Sequence, residues 1–235
     1  MIYLIPEGWG IARPVDVYEV LSSVHNCFSQ YFREQINNNP VIVINAGNIG
    51  HPVCYKSYAI IFLDVLDRFW CRYVYQFAHE YCHYQIRRDV IQPMRWFEES
   101  ICELSSLFFL LRVDELWATE PPYPNWMNYH DEFTSYALNE AKTYEEFNTD
   151  FSLENSDVLN YLKSYEYDRP KNMYVARKFL PIFEAHPFLW QAVPFLADLT
   201  EGLTFAESMK EWALAAPPVC WEGISEIAHV FNVDI

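Results

Sequence analysis

Every stretch of this chain that reads as a β-strand lies before residue 66. VIVIN, residues 41–45, is a β-branched run directly behind Pro40, and YAIIFLDV, residues 58–65, is a second apolar run. Residues 2–5, IYLI, form a third and shorter one. From Asp16 to Gln35 the apolar residues Val17, Val20, Leu21, Val24, Phe28 and Phe32 recur at helical spacing, and the cluster Asn37–Pro40 ends that helix. Beyond residue 66 the pattern is helical throughout. Strands mixed with helices, then helices alone, predict an α+β fold. The expected division is an N-terminal lobe with a small mixed sheet over 1–119 and an all-helical lobe over 120–235 that closes a cleft, with the loop EPPYPNW at the boundary.

The helical part begins with two long segments. Asp67 is placed to cap a helix from about Arg68 to Arg88. Pro93 suits the first turn of a second helix running to Arg112, in which Phe97, Ile101, Leu104, Phe108 and Leu111 form one apolar stripe. Further helices are expected over roughly 128–147, 156–165, 171–198, 204–214 and 221–231, with Pro181, Pro187 and Pro194 breaking the third of them.

Composition removes several classes of function. The net charge is −16, which leaves no basic surface for phosphates and so excludes a nucleic-acid partner. No apolar run approaches a membrane span, and MIYLIPEGWGIARPVD has neither the basic start nor the long apolar run of a secretion signal. The six cysteines form no CxxC pair. A cytoplasmic protein with free thiols is expected.

Chemistry concentrates in QFAHEYCHYQI, residues 76–86. On a helix, residues i and i+4 project from one face. His79 and His83 can therefore reach a single metal ion at about 2.0–2.1 Å. Glu80 is turned by about 100° from His79, too far round to be a ligand but within reach of a water on the ion. Trp70, Val74, Phe77 and Tyr81 make the opposite face apolar, so a core can hold the helix while the histidines stay open. Cys82 points off the histidine face and reads as packing.

Two histidines leave a catalytic zinc site one ligand short. The second helix supplies candidates in RWFEESICE, residues 95–103. Glu99 and Glu103 share a face away from the apolar stripe. On a helix antiparallel to the first, Glu99 can aim at the ion, and Glu103, one turn on, can accept a hydrogen bond from the outer nitrogen of a ligating histidine. Glu98 competes, but its i+4 neighbour is Cys102 rather than a second acid.

HEYCH, fifteen intervening residues, and Glu99-Ser-Ile-Cys-Glu103 resemble the gluzincin branch of the zincin metallopeptidases, in which HExxH is followed downstream by a glutamate ligand, often within a W-x-x-E-G-like phrase. Here the phrase is Trp96-Phe97-Glu98-Glu99-Ser100, with serine where many members have glycine. A softer likeness covers the helical tail from Tyr174 onward, where Gly202-Leu203-Thr204-Phe205-Ala206-Glu207-Ser208 starts a helix with a capping box. The resemblance spans about Ala59 to Ala213 and implies a zincin-like N-terminal lobe, bound Zn2+, and a peptide or protein substrate. It also implies a donor from the helical lobe to the developing oxyanion. Tyr161, Tyr165, Tyr167, Tyr174 and His186 are candidates, and the tail likeness favours Tyr174.

The resulting expectation is a zinc-dependent metallopeptidase with Glu80 as general base, His79, His83 and Glu99 as ligands, Glu103 as support and Tyr174 as oxyanion donor. Substrate backbone is expected to pair with an edge strand, either VIVIN or YAIIFLDV. The alternative is a catalytically inactive protein of the same fold that binds or regulates. The oligomeric state is not legible.

Overall fold

The computed structural model describes residues 1–47, 49–92, 94–143 and 156–235. Asn48 of the AGNIGHP turn, Pro93, and the 144–147 end of the helix expected over 128–147 lie outside the described residues. The chain is a mixed α+β protein, mostly helical, with one small sheet. It divides into two compact units, one of residues 1–30, 36–85 and 105–140, the other of residues 31–35, 86–104 and 141–235.

The first unit holds the sheet, formed by β1 (Ile2–Leu4), β2 (Val41–Asn45), β3 (Val53–Tyr55) and β4 (Ile60–Leu63) in the order β1-β2-β4-β3. β1 and β4 run parallel to β2, with Ile2 opposite Val41 and Ile42 opposite Ile60. β3 runs antiparallel to β4, with Val53 opposite Phe62. The strand expected over 58–65 is shorter, because Lys56–Tyr58 form a 3-10 turn and Ala59 is left-handed at φ 52°. β3 was not expected; at three residues it carries no readable period. It covers the free side of β4, so β2 and β4 are both interior and the edges are β1 and β3. The expected pairing of substrate with VIVIN or YAIIFLDV is corrected on that ground. Alternation fixes the register: Val41, Val43, Ile61 and Leu63 are fully buried on one face, while Ile42 on the other is 37% exposed.

α1 (Pro14–Phe32) starts with proline in its first turn and buries Val17, Val20, Leu21, Val24 and Phe28 completely. The Phe28 ring stacks on Phe109 at 3.8 Å and meets Tyr81 edge-on at 5.0 Å. A buried phenylalanine of this kind contributes about 1.5–3 kcal/mol by burial. α2 (Trp70–Ile86) begins later than expected. Asp67 does not cap it: its backbone is left-handed at φ 59°, whereas an N-cap needs extended geometry. Its carboxylate instead accepts the Ile11 amide at 2.9 Å. Gly10 is required beside it, since a Cβ there would lie 2.3 Å from that same carboxylate oxygen. α3 (Arg95–Trp117) continues past Arg112, and α4 (His130–Thr143) follows a 3-10 turn over Pro124–Tyr129.

The second unit is helical: α5 (Ser156–Ser164), α6 (Arg169–Ala185), α7 (Phe205–Ala215) and α8 (Trp221–Val230). Asp168 caps α6, accepting the Lys171 amide. α6 runs through Pro181 rather than breaking there. The missing donor falls four residues before the helix end, and buried Phe179 and Phe183 hold both sides of it. The break comes at His186, ahead of Pro187. α7 opens with the expected capping box, Thr204 accepting the Glu207 amide and the Glu207 side chain reaching back to Thr204. Among the described residues, no helix is long and apolar enough to cross a membrane.

Candidate metal centre

The histidine helix is fixed along its length by buried polar ties. Gln76, 7% exposed, pairs through both ends of its amide with the backbone of Asp64, just after β4: Asp64 N–H donates at 2.9 Å and Gln76 Nε2 donates at 3.2 Å. One side chain thereby satisfies two backbone groups and locks α2 to the sheet three residues before His79. At the other end Tyr84 Oη donates to the carbonyls of Asn39 and Pro40, and Asn37 Nδ2 donates to the Tyr84 carbonyl. Trp70, Val74, Phe77 and Tyr81 are buried, as the apolar face requires.

α3 is stitched to α2 by two serines. Ser106 Oγ donates to the Tyr75 carbonyl and Ser105 Oγ to the Ala78 carbonyl, each at 2.9 Å. Rising numbers on α2 meet falling numbers on α3, so the helices are antiparallel at this seam. Short side chains permit the close approach. Six residues back along α3 from Ser105 is Glu99, and five residues on along α2 from Ala78 is His83. At about 1.5 Å per residue these are nearly the same height. His79, His83 and Glu99 indeed each offer one ligand atom, all within 4.8 Å of one another. The two imidazoles have centroids 5.1 Å apart at 64°. All three residues are half-buried. Two imidazoles and one carboxylate are a donor set suited to zinc that keeps a coordination position for water.

The neighbouring acids occupy distinct places. Glu80 is 5% exposed, Glu98 is 6% and Glu103 is 4%. Glu103 lies 3.2 Å from Arg169 Nε, a partner not foreseen in the sequence. Ser100, standing where a glycine is common in the resembling phrase, fills its position chemically. Its hydroxyl sits 2.8 Å from the Trp96 carbonyl and 3.3 Å from Oδ1 of Asn172, itself buried and donating to the Glu166 carbonyl. Gln76, Ser105, Ser106, Arg169 and Asn172 were missed. In the sequence they are single polar residues with nothing to mark their distant partners. Cys82 is fully buried and, among the described residues, belongs to no cluster of ligand atoms. Burial pushes the thiols of Cys27 up to about 12 and of Cys71 and Cys220 up to about 11, which suits packing rather than reactivity.

The candidate oxyanion donors are distinguished by their partners. His186 Nε2 is 3.0 Å from Glu226, and Tyr161 Oη donates to Asp168 at 2.6 Å, a bond that pushes its hydroxyl up to about 12. Tyr165 stacks on Tyr161 at 4.7 Å. Tyr174 is half-buried in α6 with Lys178 Nζ 5.5 Å above its ring. The Tyr167 hydroxyl is pushed up by partial burial, then by the charges of Glu166 and Glu99, which places it in the electrostatic neighbourhood of the third candidate ligand.

A second group, Asp114, His130 and Asp131, can also offer three ligand atoms. It has an ordinary structural explanation. Asp114, on α3, accepts the Thr134 amide of α4 at 3.2 Å, and His130 Nδ1 lies 3.0 Å from Asp114 and 3.2 Å from Asp131. The hydrogen bond to Asp114 raises the His130 pKa; burial opposes it, and the charges of Asp131 and Asp114 add to the rise. Stability from this contact is full below the ordinary imidazole value and is lost as pH rises through the raised one. The stability gap between the wild type and His130→Gln should therefore shrink from about pH 6 to about pH 9. Thermal melting at both pH values checks this, and a gap that widens with pH contradicts it.

No family model matches the chain, and no curated protein or solved structure matches it.

Proposed function

We propose that this chain is a zinc-dependent hydrolase, a metallopeptidase of the gluzincin type with a zincin-like fold, acting on peptides in the cytoplasm. The observation that carries the reading is the convergence of His79, His83 and Glu99 within 4.8 Å, with a carboxylate at the position next to His79. When bound, zinc supplies a Lewis acid that polarises a carbonyl and acidifies water. His79, His83 and Glu99 hold the ion, and the Gln76 and Ser105 ties keep the histidine helix in place. Glu80 takes the proton from water at a carboxylate oxygen and returns it to the leaving amine. Glu103, paired with Arg169, is a buried negative charge one turn from Glu99 and supports the ligand set.

Tyr174 is the proposed oxyanion donor, on the strength of the tail resemblance. Tyr167 is the second reading, because its neighbour Glu166 lies 3.7 Å from Arg95, four residues before Glu99. Tyr174→Phe and Tyr167→Phe separate them, since loss of the donor lowers kcat with little change in KM. The sheet edges open to an extended substrate are β1 and β3. The test of the whole reading is cleavage of a mixed peptide library, analysed by mass spectrometry, before and after a chelator. Chelator-sensitive cleavage restored by zinc supports it, and cleavage indifferent to the chelator contradicts it.

A further inference from the structure

A cavity of about 600 Å³ opens in the second unit, lined by Gln92 and by the run Lys163 to Asp168. That volume is in the range of small-ligand sites. It lies beside the first turn of α3: Glu166 on its wall is 3.7 Å from Arg95, four residues before Glu99. The charges on the wall are unequal in their commitments. Glu166 already receives Gln92 Nε2 and Arg95. Asp168 receives Tyr161 Oη at 2.6 Å and caps α6 through the Lys171 amide. Lys163 is half-buried and has no hydrogen-bond or ion-pair partner among the described residues. In a chain with 32 acidic residues and 16 basic ones, an uncommitted ammonium on a cavity wall is the group most in want of an anion. Tyr165 and Tyr167 also line the cavity, and aromatic side chains offer surface to an apolar stem.

We propose that this cavity is a specificity subsite that takes a carboxylate of a peptide substrate, paired with Lys163 Nζ. The assignment of the ligand as substrate rests on the hydrolase reading; the carboxylate chemistry rests on Lys163 and the two satisfied acids. The carboxylate belongs either to an acidic side chain or to the peptide C-terminus, and both present the same group to the ammonium. Lys163 touches substrate but none of the reacting atoms, so its removal alters which peptide binds rather than the proton transfer at Glu80.

Binding is measured by calorimetry on the full-length Glu80→Gln chain supplied with zinc, so that no peptide is consumed. The probes are acetylated, amidated alanine hexapeptides carrying Glu or its isostere Gln at each position in turn, and the all-alanine peptide with a free or an amidated C-terminus. The expected result is about a tenfold preference for Glu over Gln at one position, or for the free over the amidated terminus, and the arm that shows it identifies the source. Lys163→Met abolishes the preference and Lys163→Glu turns it towards a Lys-bearing peptide. Equal affinities throughout, no binding, or a preference that survives Lys163→Met overturns the proposal. Should the Lys163-dependent preference stand while the wild type cleaves none of the peptides, the hydrolase reading fails and the carboxylate site remains.

Discussion

Replacing Glu80 with Gln is expected, if the chain is the proposed hydrolase, to lower peptide hydrolysis by about 10²–10⁴-fold and to leave the zinc content unchanged. The substitution keeps shape and volume at a side chain that is 5% exposed, so the helix and its ties to Asp64 and Ser105 remain. What is lost is the ability to accept a proton from water. The loss should fall on kcat, because Glu80 is outside the group of three side chains that could hold an ion. Steady-state kinetics with metal analysis of the same sample is the check. A variant that hydrolyses as fast as the wild type removes Glu80 from the mechanism.

Phe97→Ala is the second large effect, and it concerns stability. The ring is fully buried in the second unit, with centroids 5.6 Å from Phe179, 5.5 Å from Trp212 and 6.3 Å from Phe205. Rings that meet from three sides cannot collapse into the space left by one of them. The expected cost is about 3–5 kcal/mol, a large share of the 5–15 kcal/mol that holds a typical domain together. Glu99 is two residues on, so metal affinity should fall with it. Leu214→Ala, at a residue 77% exposed, should change stability by less than about 0.5 kcal/mol. Urea unfolding of both variants measures this, and a cost below about 1 kcal/mol for Phe97→Ala contradicts the packing described.

The parts of the fold that could be read from the sequence are those governed by local rules. VIVIN became β2 because a β-branched run behind a proline has few other choices. Thr204 and Glu207 formed their capping box because its partners are three residues apart. His79 and His83 could be placed together because helix geometry alone puts them on one face. The errors come from contacts between distant residues. β3 is too short to show a period, and it exists because β4 offers it an edge. Asp67 resembles an N-cap in sequence, but the Ile11 amide, 56 residues away, claims its carboxylate. Ser105 and Ser106 were not singled out in the sequence. They are fully buried because the α2 carbonyls accept their hydroxyls. Gln76, by the same token, gave no sign that it would serve the backbone of Asp64. The three clustered residues could be named from the sequence, whereas the serine and glutamine ties that fix α2 and α3 could not.

The central claim is that His79, His83 and Glu99 hold one ion together. Elemental analysis of the chain purified without added metal tests it most directly, run beside His83→Ala and Glu99→Ala. The account predicts about one zinc per wild-type chain, gone from His83→Ala and sharply reduced in Glu99→Ala. Zinc missing from the wild type, or held equally by all three proteins, contradicts it.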